Sequence, residues 1–394
     1  MFAGYGFRSI LLGLVGLAAA CGPAAAGPYV LIEADTGKVI LENEAGKPWH
    51  PASVTKLMTT YVTFRAIRAG KINLLTEIKI SPFAASTPPS KAGFPAGQTV
   101  TVDNALKLLM VKSANDMAVV IAEGVGGDVE NFVSEMNATA QALGMTATKF
   151  KNPHGLPDDE QVTTARDMAI LARAIIKDFP EHEMLFRIPA LTLGKRMLRN
   201  FNRLIDRYPG ADGMKTGFIC ASGFNLVASA HRGNKRLIAV VMGSMNAKVR
   251  AQEAAILFER GFQTGAGLEV ILAGSKNVSA INNIAQDPAN LYELMCGKDK
   301  KNRMAMSDAG DDHEDEDSAD GSDGALRALK RNKDKLLAEL PPSMRPIRVH
   351  TGPARDDKGR PIRLAADGKI EVAEETRNVR LPKIAPMPKR RPDI

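Results

Sequence analysis

The spacing of apolar residues changes twice along the first 260 residues of the chain. Residues 29–34 and 38–43 have the character of two strands joined by a tight turn. Residues 224–230 and 237–242 are again strand-like. Between them, apolar side chains of residues 53–69 follow the period of a helix, at Val54, Leu57, Met58, Tyr61 and Phe64. Strands at both ends of a helical middle predict an α+β fold, in which the terminal strands form one antiparallel sheet flanked by helices.

Capping residues and glycines divide the rest of the helical middle into separate helices. Gly144 is placed to end one helix, and Thr164 with Asp167 resembles a capping box that begins another. Asn246 is a candidate cap for a last amphipathic helix. The helices predicted in this way cover residues 103–111, 116–123, 129–143, 164–179 and 246–260.

The N-terminal residues resemble a targeting segment. Arg8 precedes an apolar stretch over residues 10–20, and small residues follow at 24–26. We therefore expect residues 1–26 to be a secretory signal peptide, with an uncleaved anchor and a lipid on Cys21 as alternatives. An exported protein meets an oxidising compartment, where Cys220 and Cys296 either pair or remain separate thiols. We favour separate thiols, with Cys220 buried in a strand.

Composition excludes several classes of protein. Hydrophobic residues make up 44% of the 394 residues, which is enough for a sizeable core. Three scattered cysteines are too few for a disulfide scaffold or a cysteine-based zinc ribbon. The net charge of +8 fits an anionic membrane, an anionic substrate or nucleic acid. Export argues against nucleic acid.

The last third of the chain carries weaker signals. We expect a weakly structured extension over residues 271–306, and an acidic linker over residues 307–323. Residues 324–394 form a basic tail rich in proline and arginine, which we expect to be largely disordered. The tail is a candidate contact with an anionic membrane or wall polymer. We expect truncation near Ser307 to leave activity on a soluble substrate unchanged.

Three short clusters carry residues with catalytic potential. Ser53 and Lys56 begin a helix at positions i and i+3, so the lysine can act as the base for a serine nucleophile. Ser113 and Asn115 follow in an interhelical loop, and Lys215-Thr216-Gly217 leads into strand-like residues. Taken singly, each cluster has an ordinary structural explanation: a helix cap with a surface lysine, a second helix cap, and a turn before a strand.

The order and spacing of the three clusters are those of the penicillin-recognising serine enzymes. The chain resembles the low-molecular-mass penicillin-binding proteins that act as D-alanyl-D-alanine carboxypeptidases. The resemblance extends over roughly residues 29–263, which predicts a penicillin-binding carboxypeptidase domain over residues 27–270. It implies a β-lactamase/transpeptidase-like fold with an all-helical middle region. The segments that carry it are 51–59, 113–116, 143–145, 152–156, 164–167, 212–217 and 226–230.

The resemblance also implies a role for each site residue. Ser53 would form an acyl-enzyme with the penultimate D-alanine of a peptidoglycan stem pentapeptide, and Lys56 would be its base. Ser113 would pass a proton to the leaving amine, while Asn115 orients Lys56 and the substrate. The expected substrate-binding residues are Lys215, Thr216, Gly217 and Phe218. Lys215 and Thr216 would bind the terminal carboxylate, and the backbone N–H groups of Ser53 and Phe218 would form the oxyanion hole.

This implied activity needs no metal and no cofactor. It implies a periplasmic enzyme, with or without attachment to the inner membrane. It also implies that β-lactams are covalent inhibitors. A D,D-endopeptidase of the same family remains an alternative that the motifs do not separate. A class A β-lactamase is a weaker alternative, because residues 149–153 hold lysines and no glutamate to activate the deacylating water. A Ser-His-Asp enzyme using His154 or His231 is disfavoured, since no Gly-x-Ser-x-Gly elbow occurs.

Overall fold

A computed structural model describes residues 27–263, 276–298, 335–356, 358–365 and 369–372. Five antiparallel strands form the central sheet: β1 (Tyr29–Glu33), β2 (Val39–Asn43), β7 (Ala211–Ile219), β8 (Gly223–Arg232) and β9 (Lys235–Ser244). Their order in the sheet is β2-β1-β9-β8-β7. The N-terminal hairpin therefore pairs with strands that follow the helical region.

Both faces of the sheet are covered, and successive residues of each strand point to opposite faces. On β1, Val30 and Ile32 join the larger core with the helical region, whereas Leu31 joins a second core with the long helix Ala247–Gln263. Ile238 and Ala239 divide between the two cores in the same way on β9. This explains why β1 and β9 have nearly continuous apolar sequences.

The helical region packs on one face of the sheet and the last long helix on the other. Among the described residues, no helix has both the length and the hydropathy needed to cross a bilayer. The helices are α1 (Lys56–Arg68), α2 (Pro82–Ser86), α3 (Val102–Val111), α4 (Asn115–Gly126), α5 (Val129–Leu143), α6 (Ala165–Asp178), α7 (Met184–Arg187), α8 (Ala247–Gln263) and α9 (Tyr292–Met295).

The predicted fold class is confirmed, and the helix caps agree in part. Thr164 Oγ1 accepts a hydrogen bond from the Asp167 N–H, and Asn246 Oδ1 accepts from the Val249 N–H, as the sequence indicated. The helical region also contains short strands that apolar spacing did not reveal, because three or four residues are too few to show a period. They are β3 (Glu77–Lys79) with β4 (Thr99–Thr101), and β5 (Ala190–Leu193) with β6 (Arg196–Arg199).

The expectation of separate thiols is wrong in the structure. Cys220 and Cys296 form a disulfide with Cα atoms 5.6 Å apart. Cys220 lies just beyond β7 rather than within a strand, so its side chain can reach the segment 276–298. The Leu291 N–H also donates to the Ala221 carbonyl oxygen at 2.9 Å. The disulfide and this hydrogen bond hold the extension against the end of β7.

The structure also differs from the expectation for part of the tail. Strand β10 (Ile347–Val349) pairs in parallel with β5 and extends the β5–β6 hairpin to three strands. Val349 is buried in the larger core. The Leu340 N–H donates to the Asp206 carbonyl oxygen at 2.9 Å, and Gly352 N–H donates to Thr99 O at 2.7 Å. A strand as short as β10 is not stable alone, so its order comes from pairing with β5 and from packing of Val349 into the core. A further pair of strands, β11 (Ile362–Leu364) and β12 (Ile370–Val372), lies beyond. The predicted acidic linker over residues 307–323 lies outside the described residues.

Candidate active site

Ser53 and Lys56 lie at the start of α1, next to the edge strand β7 of the central sheet. Ser53 is in a single 3-10 turn (Ala52–Thr55), and Lys56 is the first residue of α1. Lys56 Nζ lies 2.9 Å from Ser53 Oγ and 2.7 Å from Asn115 Oδ1. It also donates to the His154 carbonyl oxygen at 2.5 Å. Lys56 is fully buried, so it is not the surface lysine of the ordinary structural explanation.

The environment of Lys56 favours the neutral amine. Burial lowers the pKa of Lys56 well below its usual value, and the positive charge of Lys215 lowers it further. The carboxylate of Asp116 acts in the opposite direction and is the smaller influence. A lysine with a lowered pKa can accept a proton at neutral pH, which an ordinary surface lysine cannot. Its contact with Ser53 makes this serine the hydroxyl from which it would take that proton.

The second cluster connects α3 with α4. Ser113 adopts a left-handed backbone conformation with φ of 58° and does not cap the next helix, whose N-terminal cap is Ala114. Asn115 is the first residue of α4, and its Nδ2 donates to the Pro88 carbonyl oxygen at 3.0 Å. Asp116 accepts hydrogen bonds from the N–H groups of Ala92 and Gly93. These contacts fix the loop that forms one wall of the cleft.

The third cluster lies inside β7 and not before it, because the strand begins at Ala211. β7 is the last strand in the order of the sheet and lies against the turn that carries Ser53. A Cβ atom on Gly217 would lie only 2.8 Å from the Ser53 nitrogen and 3.0 Å from the Pro51 oxygen. Glycine is therefore required here by the approach of the chain's own backbone to the strand.

Lys215 connects the third cluster with the second. Lys215 Nζ donates to Ser113 Oγ at 3.0 Å and to the Thr216 carbonyl oxygen at 2.8 Å. Burial and then the charge of Arg250 lower the pKa of Lys215 to about 7. Three clusters that are separate in the sequence thus meet in one site. Lys56 contacts Ser53 and Asn115, Lys215 contacts Ser113, and Ser113 and Asn115 lie two residues apart at the start of α4.

A cleft of about 1010 Å³ opens in front of these site residues. Ser53, Ser113, Asn115, Thr216, Gly217 and Phe218 all line it. The Phe218 ring is exposed and packs against Phe224 in a tilted arrangement, with ring centroids 4.3 Å apart. The cleft is large enough for several residues of an extended peptide beside β7.

The sequence analysis missed Arg250, a residue of α8 that also lines the cleft. Its guanidinium donates to the backbone oxygens of Asn225 at 3.3 Å and Phe201 at 3.2 Å, while its buried Nε has no hydrogen-bond partner among the described residues. Burial and the charge of Arg203 lower its pKa to about 9. The sequence did contain a pattern that could have revealed Arg250. The arginine lies at helical spacing from Ala254 and Phe258, on the face of α8 that packs into the core.

The histidine alternative has no support in this geometry. The His154 ring accepts a hydrogen bond from the Leu156 N–H at Nδ1. Burial and the charge of Lys56 lower its pKa to about 3. His231 Nδ1 lies 3.2 Å from the Asp212 carboxylate, and Asp212 also accepts a hydrogen bond from Ser229. Neither Asp212 nor His231 lines the cleft.

Comparison with known proteins identifies the family. A family model described as D-alanyl-D-alanine carboxypeptidase matches residues 18–246. The chain belongs to the D-alanyl-D-alanine carboxypeptidase family. The match includes all three clusters and both halves of the central sheet.

Curated relatives from this family share more than a third of the matched residues. D-alanyl-D-alanine carboxypeptidase DacC of Escherichia coli K12 is 38% identical over 242 residues, which is 60% of this chain and 60% of DacC. DacF of Bacillus subtilis is 38% identical over 241 residues, which is 59% of this chain and 61% of DacF. The chain thus matches about three fifths of the length of these relatives.

Solved structures from the family have the same fold. Penicillin binding protein 5 from Haemophilus influenzae is 37% identical with a TM-score of 0.58, over 60% of this chain and 70% of that chain. DacD from Francisella tularensis is 32% identical with a TM-score of 0.59, over 66% of this chain and 74% of that chain. The cefotaxime-bound form of penicillin-binding protein D2 from Listeria monocytogenes is 28% identical with a TM-score of 0.55, over 60% and 97% of the two chains.

Proposed function

We propose that this protein is a serine-type D-Ala-D-Ala carboxypeptidase that removes the terminal D-alanine from peptidoglycan stem pentapeptides. The single observation that carries the proposal is the contact of the buried Lys56 amine with Ser53 Oγ, at 2.9 Å, beside a cleft. A buried amine with a lowered pKa next to a partly exposed hydroxyl is the arrangement that a serine nucleophile requires. Membership of the family supplies the reaction class.

Acylation begins with transfer of the Ser53 hydroxyl proton to Lys56. Ser53 Oγ then bonds to the carbonyl carbon of the penultimate D-alanine, and the backbone N–H groups of Ser53 and Phe218 stabilise the oxyanion. The C–N bond breaks as Ser113 delivers its proton to the departing amine of the last D-alanine, and the proton held by Lys56 passes to Ser113, which leaves Lys56 neutral again. Asn115 keeps Lys56 in place through the 2.7 Å contact of Nζ with Oδ1. Water then hydrolyses the acyl-enzyme, with Lys56 as its base.

Selection for a free chain end resides in Lys215 and Thr216. A protonated lysine beside a hydroxyl suits a carboxylate, and Arg250 adds a second positive charge next to Lys215. When the carboxylate is bound, its charge raises the pKa of Lys215 and keeps the lysine protonated. Gly217 lets β7 approach Ser53, so the substrate's carbonyl and its carboxylate reach their two sites together.

Serine labelling tests the proposal. Labelled penicillin should acylate the peptide that contains Ser53, and Ser53→Ala should abolish both labelling and release of D-alanine from a pentapeptide. Ser134→Ala is the matched control, since Ser134 is an exposed serine of α5 away from the cleft. Mass spectrometry of the stem peptides would measure the loss of one D-alanine. Labelling of a serine other than Ser53 would refute the assignment.

The same proposal covers inhibitors and location. β-Lactams should bind covalently to Ser53, since relatives in this family are penicillin-binding proteins with antibiotic-bound structures. The substrate lies outside the cytoplasmic membrane, which fits an exported, periplasmic enzyme. The residues after 372, which include Lys389-Arg390-Arg391, provide the positive charge for contact with an anionic membrane or wall polymer. Retention of the full chain on anionic vesicles should then fall steeply with salt.

A further inference from the structure

The cleft carries more positive charge than one carboxylate requires. Of the residues that the structure describes, five cationic side chains and no aspartate or glutamate line it. The five are Lys112, Arg196, Arg199, Arg203 and Arg250. Within the described part of the chain, no acidic side chain forms an ion pair with Arg196, Arg199 or Arg203. Each of these three arginines is exposed at the rim. Uncompensated guanidinium groups that converge on a cleft favour an anionic ligand.

Contacts connect the exposed arginines with the position proposed for the terminal carboxylate. The Arg250 guanidinium donates to the Phe201 carbonyl oxygen at 3.2 Å, and Arg199 and Arg203 lie two residues before and two residues after Phe201. The same guanidinium is close enough to Lys215, which we propose to bind the terminal carboxylate, for its charge to lower the pKa of that lysine. Because the terminal carboxylate belongs to the leaving residue, these contacts place the arginines on the leaving-group side of the cleft.

The outer arginines are held by a defined sheet. Arg196 and Arg199 are the two ends of β6, which pairs with β5, and β5 also pairs with β10. Leu198 between them is buried in the larger core. The Asn200 N–H donates to the Pro189 carbonyl oxygen at 2.8 Å and closes the hairpin. Backbone pairing on both sides of β5 fixes the backbone positions of Arg196 and Arg199. Fewer conformations are then lost when the two side chains bind a ligand, which lowers the entropic cost of binding.

We propose that Arg196, Arg199 and Arg203 form a second anion subsite, which takes a carboxylate of a leaving group longer than one D-alanine, such as the amine-bearing acceptor strand of a cross-linked stem peptide. This inference rests on the proposed function and deepens it. The chemistry is unchanged: the Ser53 Oγ–C bond forms, the C–N bond breaks, and Ser113 protonates the departing amine. Only the size and charge of that amine differ. The subsite thereby favours the D,D-endopeptidase alternative as a second activity of the same site.

Matched leaving residues test the subsite. The substrates are acyl-D-Ala-D-Glu and acyl-D-Ala-D-Gln, which both keep the α-carboxylate and differ only in the second one. A longer pair, with D-2-aminoheptanedioic acid and its ω-amide, covers a greater reach. We expect the wild-type full chain to prefer the acid in at least one pair by about three- to tenfold in kcat/KM, the range for charge-assisted hydrogen bonds at a solvent-exposed site. The preference should shrink as salt is raised.

Variants assign the preference to the hairpin. The acid-to-amide ratio should fall close to one in Arg199→Gln/Arg203→Gln, and Arg196→Gln should reduce it. Lys195→Gln is the matched control, because Lys195 is an exposed cation of the same hairpin that does not line the cleft, and it should keep the wild-type ratio.

Two negative results are distinguishable. The first is that the enzyme releases D-alanine from acyl-D-Ala-D-Ala but has equal kcat/KM on the acid and the amide of both pairs. This result would overturn the subsite and leave the proposed function intact. Failure to hydrolyse any of these peptides would overturn the proposed function and the subsite with it. A preference that persists in the arginine variants would also overturn the subsite.

Discussion

Lys56 and Lys215 are two buried lysines that lie behind one cleft, and the charge of Lys215 lowers the pKa of Lys56. Each lysine contacts a serine that lines the cleft, Ser53 in one case and Ser113 in the other. The two roles that we propose for them require opposite charge states, since Lys56 must be neutral to accept a proton and Lys215 must be charged to bind a carboxylate. Their coupling connects substrate recognition with activation of the nucleophile.

The coupling predicts a shift in the pH dependence of acylation. The rate of acylation by labelled penicillin should rise with pH as Lys56 loses its proton. In Lys215→Gln the neighbouring charge is gone, the pKa of Lys56 is higher, and the acidic limb should move to higher pH. Lys112→Gln removes another cation of the cleft that is not among the charges acting on Lys56, and its limb should stay in place. An unmoved limb in Lys215→Gln would contradict the coupling.

The kcat/KM of wild type on a carboxylate peptide should also fall on the basic side. Free enzyme loses the Lys215 proton through a pKa of about 7. Binding of the carboxylate therefore weakens above that pH, so KM should rise while kcat changes less. An amidated peptide, which offers no carboxylate, should lack this basic limb. A basic limb of equal size on acid and amide would refute the role of Lys215.

Buried Lys215 should reduce stability at neutral pH. Its pKa is about 10.5 when unfolded and about 7 when folded, so the unfolded chain binds more protons between these values and stability increases with pH across that window. Lys215→Met should therefore raise the free energy of unfolding by about 2 kcal/mol below pH 7, while abolishing carboxylate selection. Thermal unfolding as a function of pH measures this. The gain should shrink toward pH 10; a constant gain would indicate a packing effect instead.

The disulfide should stabilise the domain. It closes a sequence separation of 76 residues between the end of β7 and the segment that follows α8. Loss of such a link costs about 2–4 kcal/mol, because the unfolded chain regains conformational freedom. Cys296→Ser should unfold at lower denaturant concentration than wild type. A reductant should destabilise wild type and leave Cys296→Ser unchanged; equal effects on both proteins would count against the disulfide.

The packed part of the tail changes the expectation for truncation. Removal of all residues after 298 deletes β10 and exposes the edge of β5, so the hairpin that lines the cleft loses a partner strand. We expect lower thermal stability and a higher KM on a soluble pentapeptide. Removal of residues after 372 only should leave both unchanged. Equal KM values for the two truncated proteins would contradict a role of β10 in supporting the hairpin.

A single substitution in the full chain tests the same packing. Val349→Asp should lower the free energy of unfolding by about 2 kcal/mol or more, since it buries a charge in the core.

The penicilloyl enzyme should persist. Lys149 and Lys151 pair with Glu160, which is exposed, and no carboxylate lines the cleft among the described residues. Hydrolysis of the adduct then depends on Lys56 alone as a base, and the label should remain on Ser53 for minutes or longer. Nitrocefin should give a burst followed by slow turnover. Fast steady-state turnover would favour the β-lactamase alternative.

Local sequence determined the parts of the site that lie within one turn of helix. Ser53 and Lys56 face each other because three residues span about one turn, so their proximity was readable from the spacing alone. The same holds for the caps at Thr164 and Asn246, where a side chain bonds a backbone N–H three residues later. The antiparallel sheet was predictable in part, because β1, β8 and β9 have apolar stretches. The start of β7 at Ala211 was missed, because glycine and polar residues interrupt its apolar pattern.

Only the tertiary structure decided the rest. Lys215 meets Ser113 across 102 residues of sequence because β7 lies beside the loop between α3 and α4. The lowered pKa values of Lys56 and Lys215 arise from burial, to which many separate elements contribute, and no local pattern encodes that sum. The disulfide and β10 depend on the approach of distant segments, and a strand of three residues carries too little periodicity to be seen before its partner is known.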